Sequence, residues 1–338
     1  MIYRLAMIIC MEEIENMVDT ESLKWYSENY IPCKMLFQIE ENGVYNVTDL
    51  MTGTTFKNKT FFFKDTHEKC RFCGKSAPEV TFKDKAHTIP EFIGNKLFVN
   101  NNNECDVCNH KFGEVYEPDL SAFLLPCLTI DQIRGKNGTR KYKSNDKKSI
   151  VSSDNGTLKI EEIADATKVI RDDDKKEITY QFDIPKYSMF NVYKSVLKMA
   201  LSIIPEEKIN LVKCKIKALN DANTHGDEYL LFSFFPGFNR FGLNVLLYER
   251  KDPNNHNIPL FQFGIMSNNF MIQVPIFGDD DINQLQGKQI TNPTFQIPTP
   301  HDKDKYFSDV KVKVFNKMDI VDRHTANVTL KYDSINEK

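Results

Sequence analysis

Two short cysteine pairs decide how the middle of this 338-residue chain folds: Cys70-Arg-Phe-Cys73 and Cys105-Asp-Val-Cys108. Thiolates are soft ligands that favour Zn²⁺, and four of them arriving as two knuckles complete a closed tetrahedral site. The 31 residues from 74 to 104 that separate the pairs exceed the ~15–20 of an ordinary zinc ribbon, so a folded element must lie between the knuckles. The alternative, four buried free thiols, leaves the paired spacing unexplained. We therefore predict a structural zinc ion held by Cys70, Cys73, Cys105 and Cys108.

The composition bounds the class of protein. A hydrophobic fraction of 41% with 12% aromatic residues is enough to bury a core, which excludes a mainly disordered chain. Lysine and arginine number 44 against 47 acidic residues, a net charge of −3. Such a balance gives no overall attraction to nucleic acid, so any phosphate-binding surface must be local. The length predicts two or three domains.

The cysteines and the first residues point to a compartment. Two tight pairs among eight cysteines favour a metal clamp in a reducing compartment over a set of disulfides. The first ten residues are apolar but short, and acidic residues follow where a cleavage site would stand, so we expect no signal peptide. The sequence contains no uninterrupted apolar segment of ~20 residues, the length that a membrane-spanning helix needs. We therefore expect a cytoplasmic protein without a membrane partner.

Patterns along the chain predict an α+β protein in four parts. Residues 1–64 form a small α+β segment, in which Asn42-Gly43 between two apolar runs predicts a hairpin. Residues 65–125 hold both cysteine pairs and form the zinc-stapled module. Residues 126–150, rich in Gly, Asn and basic residues, predict a loop, hairpin tip or linker. Residues 151–338 form a larger mixed α/β C-terminal domain rich in antiparallel strands, among them a hairpin that turns at Ser267-Asn268-Asn269.

One helix of the C-terminal domain is predicted in detail. Ser188 is suited to cap its N-terminus, and the helix should end at Pro205. Polar residues recur at intervals of four, at Lys194, Lys198 and Ser202, while apolar residues fill the other positions. This pattern predicts a helix that is buried on most sides.

The residues between and after the cysteine pairs resemble a known family. His87-Thr-Ile-Pro90 lies between the pairs, and Asn109 follows the last cysteine directly. In this order and spacing, residues 68–119 resemble the HNH endonucleases, in the subgroup whose ββα-metal hairpin is stapled by two Cys-x-x-Cys pairs. The resemblance implies that His87 ends the first strand of the hairpin and that Asn109 lies at the start of its helix.

The resemblance implies metal-dependent hydrolysis of DNA phosphodiester bonds. That reaction needs an activated water, a cation on the scissile phosphate and stabilisation of the departing 3′ oxygen. An ordinary imidazole pKa of ~6.5 suits His87 to the role of general base. The neutral carbonyl oxygen of Asn109 suits Mg²⁺ or Mn²⁺ as the catalytic metal.

The match departs from the family at two positions. Many members have a further metal ligand immediately before the histidine and four residues after the asparagine, where this chain has Ala86 and Gly113. The candidates for the remaining ligand are Asp84, Asp106, His110, Glu114 and Glu117, of which we favour His110 and Glu117. The asparagine that braces the hairpin loop in the family is expected within Asn100 to Asn103.

A basic stretch after the module is the expected contact with the DNA backbone. Seven basic residues and one acid lie between residues 134 and 148, and such contacts are independent of sequence and sensitive to salt. The candidate DNA-binding residues are Arg134, Lys136, Arg140, Lys141 and Lys143. The alternative for this stretch is a solvated loop.

The sequence leaves two functions of different classes open. The first is a hydrolase, an HNH endonuclease that cuts DNA, expected to be double-stranded. By analogy with family members that carry a long C-terminal extension, it would be a bacterial antiviral-defence effector controlled by that extension, through a partner protein or a sensed ligand. The second is a catalytically inactive, zinc-stapled module that binds nucleic acid or protein. His87 and Asn109 favour the first, because a binding clamp needs neither.

Overall fold

A computed structural model describes most of the chain. The described residues are 20–41, 44–59, 61–64, 69–131, 133–135, 138–154, 157–163, 165–223, 228–234, 242–282 and 311–331.

The elements fall in three stretches of the chain. The first contains α1 (Thr20–Asn29), β1 (Tyr30–Glu41), β2 (Val44–Asp49), β3 (Thr54–Lys57) and β4 (Phe61–Lys64). The second contains a 3₁₀ turn (Glu91–Ile93), β5 (Phe98–Asn101), α2 (Asp106–Val115), α3 (Glu117–Phe123) and α4 (Leu125–Ile130). The third begins with β6 (Arg134–Gly135), β7 (Gly138–Thr139), β8 (Lys141–Lys143), β9 (Ser149–Asp154), β10 (Thr157–Glu162), β11 (Val169–Asp172), β12 (Glu177–Ile184), β13 (Tyr187–Ser188) and α5 (Met189–Ile203). It continues with a 3₁₀ helix (Glu206–Val212), α6 (Lys213–Asn220), β14 (Leu230–Phe234), β15 (Leu243–Arg250), β16 (Phe261–Met266), β17 (Phe270–Ile276), α7 (Asp279–Ile282), β18 (Lys311–Phe315), β19 (Ile320–Val321) and β20 (His324–Lys331).

The largest sheet combines strands from the first and third of these stretches. Its eight antiparallel strands run in the order β18-β14-β17-β16-β15-β1-β2-β3. β1 and β2 pair on either side of the predicted turn Asn42-Gly43, which itself lies outside the described residues. Met266 pairs with Met271 in the hairpin predicted at Ser267-Asn268-Asn269. Because β1 pairs with β15, strands from residues 1–64 and 151–338 share one sheet. The predicted four-part division therefore stays a prediction, but two of its parts fold together.

The basic stretch is mostly strand. β8, which contains Lys141 and Lys143, is the edge of a three-stranded sheet in the order β10-β9-β8, and β6 pairs with β7 in a short hairpin. Residues 136 and 137, at the tip between β6 and β7, lie outside the described residues. Tyr142 is buried between two exposed lysines because side chains alternate across a strand.

The predicted helix is α5, and it lies between the module and the large sheet. Ser188 caps it by accepting a hydrogen bond from the Asn191 N–H at 3.4 Å. All its residues except Phe190 and Asn191 are buried, because it packs against α3 on one side and β17 on the other. The α+β class and the strand-rich C-terminal region are therefore as predicted. Within the described residues, helices fall short of the length and apolar character needed to span a membrane.

Candidate active site

The four predicted cysteines converge. Their sulfur atoms all lie within 4.8 Å of one another, and the sulfurs of Cys73 and Cys105 are 3.8 Å apart. A tetrahedral Zn²⁺ with Zn–S bonds of ~2.3 Å would place its sulfurs about 3.8 Å apart. Among the described residues, these four cysteines form the only group of three or more His, Cys, Asp or Glu side chains that lie close enough together to share a metal ion. The cluster fits a structural zinc ion.

Backbone geometry prepares each half of the cluster. Gly74 adopts a left-handed φ of 72°, so that its N–H donates to the carbonyl of Cys70 at 2.8 Å and closes the first knuckle. Cys105 is the N-cap residue of α2, so the second knuckle is the first turn of that helix. A hydrogen bond from the Cys108 thiol and backbone N–H groups lower the pKa of Cys70 to about 4. The lowered pKa favours the thiolate form of Cys70, which is the form that binds zinc.

His87 lies on the hairpin between the two cysteine pairs. It bridges Val99 of β5, and the flanking N–H groups of Asn100 and Thr88 donate to Ala86 and Phe98 at 2.8 and 3.2 Å. With α2 following β5, this hairpin completes a ββα unit. Burial lowers the pKa of His87 from its ordinary value of 6.5, and nearby lysine charges lower it further.

Asn95 braces the loop of this hairpin. Its side-chain amide donates to the carbonyls of Ile89 and Phe98 at 2.6 and 2.9 Å, and its oxygen accepts from the N–H groups of Leu97 and Phe98 at 3.1 and 2.8 Å. The same amide nitrogen lies 3.4 Å from Nδ1 of His87. The bracing role expected within Asn100 to Asn103 therefore falls to Asn95, which is fully buried.

Asn109 and Glu117 differ from Asn95 in their hydrogen bonding. Asn109 is on the first turns of α2, and Glu117 begins α3. The side chains of both are partly buried and have no hydrogen-bond or salt-bridge partner among the described residues. Burial raises the pKa of Glu117. Gly113 lies between them, and a Cβ added there would meet no atom within 4 Å, so the space beside both side chains is open.

These residues share one cleft with His87. The cleft has a volume of about 510 Å³, and its lining includes His87, Asn109, His110 and Glu117 together with Lys85 and Glu91. We call it the HNH cleft. It contains the predicted general base and all three predicted catalytic-metal ligands on facing walls of the hairpin and of α2–α3.

Of the other four candidate ligands, Asp106, His110 and Glu114 have partners, whereas Asp84 is exposed and does not line the cleft. Asp106 accepts hydrogen bonds from the Thr81 hydroxyl and from the Asp84 N–H, the latter at 2.9 Å, and so ties the hairpin to α2. His110 lines the cleft, but its Nε2 lies 2.9 Å from Glu114, and both side chains are largely exposed. His110 and Glu114 therefore form the rim of the cleft, whereas Asn109 and Glu117 lie deeper.

Three of the five predicted DNA-binding residues line a second concave surface. A pocket of about 320 Å³ is lined by Arg140, Lys141 and Lys143, together with Tyr142 and Arg323. We call it the basic pocket. Arg140 is partly buried and donates to the Ser121 hydroxyl of α3 at 3.0 Å, four residues after Glu117. Arg134 lies in β6, and Lys136 lies outside the described residues.

Sequence reasoning missed three residues that surround the site. Asn95 carried a signal, because it follows Gly94 in the loop that the hairpin needs. For Lys198, the sequence predicted its position on the polar stripe of α5 but not its contact with the carbonyl of His87 at 2.7 Å. Arg323 carried none, because it reaches the basic pocket from the far end of the chain.

Comparison with known proteins agrees with this geometry. Residues 70–125 match the sequence model of the HNH endonuclease family. Comparison with curated proteins gave no match, and neither did comparison with solved structures. The matched segment contains the zinc cluster, the His87 hairpin and the helices that line the HNH cleft. Residues 70–125 are therefore similar to the HNH endonucleases.

Proposed function

We propose that this protein is an endonuclease that hydrolyses phosphodiester bonds of double-stranded DNA in the HNH cleft. One observation carries the proposal: a braced imidazole, His87, lines the same cleft as two oxygen-bearing side chains, Asn109 and Glu117, that have no partner among the described residues. A module that only binds needs the zinc cysteines, but it needs neither the imidazole nor these two side chains in a common cleft.

His87 is the general base of the proposed reaction. Its lowered pKa keeps the imidazole neutral at pH 7, so that it can accept a proton from the water that attacks the phosphorus atom. Asn95 fixes the loop that follows His87, and the pairing with β5 fixes its backbone. The ring is therefore held in place before substrate arrives, which lowers the entropic cost of reaching the reactive geometry.

The remaining side chains fit a hard divalent cation. The amide oxygen of Asn109 and the carboxylate of Glu117 are hard ligands of the kind that Mg²⁺ and Mn²⁺ prefer, and His110 at the rim is a third candidate. A carboxylate whose pKa is raised by burial also gains most from a nearby positive charge. When bound, the metal would neutralise charge on the scissile phosphate and on the departing 3′ oxygen.

The basic pocket would hold the DNA backbone beside the HNH cleft. α3 links the two, because Glu117 lines the cleft and Ser121, about one helical turn further on, accepts from Arg140. Lys141 and Lys143 are exposed on β8. Their replacement by alanine should reduce the slope of log binding constant against log salt by about 1 for each phosphate that is no longer neutralised. Lys159 of the same sheet, paired with Glu161, is a control whose replacement should leave the slope unchanged.

The C-terminal region would control this activity. Its helix α5 is buried between the module and the large sheet, so a partner or ligand that shifts the sheet would act on the module. The analogy with HNH proteins that carry long C-terminal extensions supports a role in defence against viruses. A phage challenge of cells that express wild-type protein or His87→Ala tests that role, because protection should require His87.

Cleavage of plasmid DNA tests the chemistry. With Mg²⁺ or Mn²⁺ added, the wild-type protein should nick or linearise the plasmid. His87→Ala should cut at least ~100-fold more slowly, the usual contribution of a general base. His324→Ala, which removes an exposed histidine of β20, should cut like wild type.

The same experiment separates the two candidate functions. Both variants should keep one zinc ion per chain, because neither removes a cysteine of the cluster. A wild-type protein that binds DNA but leaves it intact at every tested metal concentration would favour the inactive binding module. Cleavage that survives in His87→Ala would reject the assignment of the general base.

A further inference from the structure

A lysine of the C-terminal helix reaches into the hairpin that carries His87. Nζ of Lys198 on α5 donates to the backbone carbonyl of His87 at 2.7 Å and lies 3.1 Å from the carboxylate of Glu104. The side chains of Lys198 and Glu104 are 4% and 0% exposed. The hydrogen bond joins residues 111 positions apart in the sequence, and Lys198 lies outside the segment that matches the HNH family.

The ammonium group is held by a network that spans the hairpin. Glu104, which precedes the zinc-cluster residue Cys105, also accepts a hydrogen bond from the side chain of Asn100 at 2.6 Å. Asn100 in turn donates through its backbone to Ala86, the residue before His87, at 2.8 Å. Lys198 therefore contacts one strand of the hairpin directly and the other through Glu104. A buried charge is tolerated only with such partners.

We propose that Lys198 is a positioning residue for His87 in the nuclease reaction, an inference that rests on the proposed function. The carbonyl that Lys198 binds belongs to the backbone of His87 itself, so the hydrogen bond fixes the peptide from which the imidazole projects. A general base must lie within hydrogen-bond reach of the water it activates, and a displacement of 1 Å costs ~100-fold in rate. The HNH module is thus completed by a helix from outside its own segment.

A second lysine on the same helix provides a matched control. Lys194, one turn earlier, is equally buried, at 4% exposure. Its ammonium group donates to the carbonyl of Asp221 and lies 4.3 Å from the ring centre of Phe190. Neither of these two residues belongs to the hairpin that carries His87. Removal of either lysine takes a buried cation from α5, but only the removal of Lys198 frees the carbonyl of His87.

The experiment compares three full-length variants in the plasmid assay with Mg²⁺. Lys198→Met keeps most of the apolar stem and should lower kcat by ~100-fold while KM changes less than about threefold. Lys194→Met should keep kcat within about threefold of wild type. Glu104→Gln/Lys198→Met removes both charges, so that neither is left unpaired, and it should keep its zinc and its melting temperature while kcat stays low.

The outcomes separate positioning from folding. A double variant that is folded and zinc-loaded, yet cuts with wild-type kcat, would overturn the role of Lys198, even if Lys198→Met alone fails to fold. Equal reductions of kcat in Lys194→Met and Lys198→Met would also overturn it, because the effect would then belong to the stability of α5. A wild-type protein that does not cut removes the proposed function, and the role of Lys198 with it.

Discussion

The four-cysteine cluster and the proposed ligands of a catalytic metal meet at helix α2, and the two groups differ in one respect. At its N-terminus, Cys105 and Cys108 complete a cluster of four sulfurs that lie within 4.8 Å of one another. One residue further, Asn109 begins a row that continues past Gly113 to Glu117, and there the polar side chains of Asn109 and Glu117 have no partner among the described residues. The first site is closed by the protein, and the second is open to the HNH cleft.

The difference shows how one short segment separates stability from chemistry. A closed tetrahedral site leaves no position for substrate, so its metal serves the fold. At the proposed open site, water and substrate would supply the remaining ligands, so a metal bound there would serve the reaction. Because Cys108 and Asn109 are adjacent on α2, the closed site also fixes the orientation of Asn109. Substitutions in the closed site should therefore reduce zinc binding, stability and cleavage together, whereas substitutions in the open site should impair cleavage alone.

The largest expected effect is the loss of the closed site. Cys108→Ser should abolish zinc binding and lower the free energy of unfolding by roughly 5 kcal/mol or more, since structural zinc contributes ~10–16 kcal/mol to folding in small zinc domains. Metal analysis by mass spectrometry and thermal unfolding measure both quantities. Cleavage should disappear as well, because the hairpin and α2 lose their common anchor.

The control for this prediction is another cysteine. Cys33 of β1 is partly exposed, and its thiol donates to Glu249 at 3.3 Å, a bond that a serine hydroxyl can keep. Cys33→Ser should retain one zinc ion per chain and near wild-type stability. A Cys108→Ser protein that still binds one zinc ion would show that the four-sulfur site is not where the metal resides.

The two sites also differ in how far sequence predicted them. The closed site followed from spacing alone, because two Cys-x-x-Cys pairs allow few other arrangements. The open site was predicted only in part: the resemblance indicated His87 and Asn109, and among five candidates for the remaining ligand the sequence favoured both His110 and Glu117. Our proposal favours Glu117 because it is partly buried without a hydrogen-bond or salt-bridge partner among the described residues, a property of the folded chain that no spacing encodes.

Long-range contacts could not be predicted from the sequence for the same reason. The stripe of Lys194, Lys198 and Ser202 predicted a buried helix, and α5 has the predicted bounds to within two residues at its end. Periodicity reveals which face of a helix is polar, but not what that face contacts. The pairing of Lys198 with Glu104 depends on how α5 packs against the module. Likewise, the run of four asparagines from residue 100 to residue 103 suggested that the bracing residue lies there. The hydrogen bonds of the folded chain identify Asn95 instead.

The next effect, of intermediate size, concerns the open site. Glu117→Gln should raise the Mg²⁺ concentration for half-maximal cleavage by about tenfold or more, because even an outer-shell partner of a metal ligand is worth ~10–100-fold in affinity. Zinc content should be unchanged. The metal-free variant should be no less stable than wild type at pH 7, because the raised pKa of Glu117 means that burial opposes its charged form.

Glu114 is the matched control for Glu117. It lines the same cleft three residues earlier, but it is exposed and paired with His110. Glu114→Gln should change the required Mg²⁺ concentration by less than about twofold. If the two variants respond equally, the carboxylate of Glu117 is not a metal ligand, and the contrast between deep and rim residues of the cleft loses its meaning.

The smallest effect is a shift along the pH axis. A general base acts in its neutral form, so kcat/KM should fall as the pH drops through the pKa of His87. Burial and the charges of Lys85, Lys198 and Lys96 lower that pKa, while Glu91 raises it. The acid-side midpoint should therefore lie below the ordinary value of 6.5, and a positive metal ion in the cleft would move it in the same direction.

Substitution of Glu91 tests the direction of this pH shift. Glu91→Gln removes the charge that favours the imidazolium form, so the acid-side midpoint should move to still lower pH. Glu79→Gln, which changes an exposed carboxylate of the same module, should leave the midpoint in place. A wild-type midpoint above 6.5, or an upward shift in Glu91→Gln, would mean that the group titrating is not His87. The thiolates of the closed site should not enter the profile, because bound zinc keeps them deprotonated throughout, so a normal acid limb would report on the open site alone.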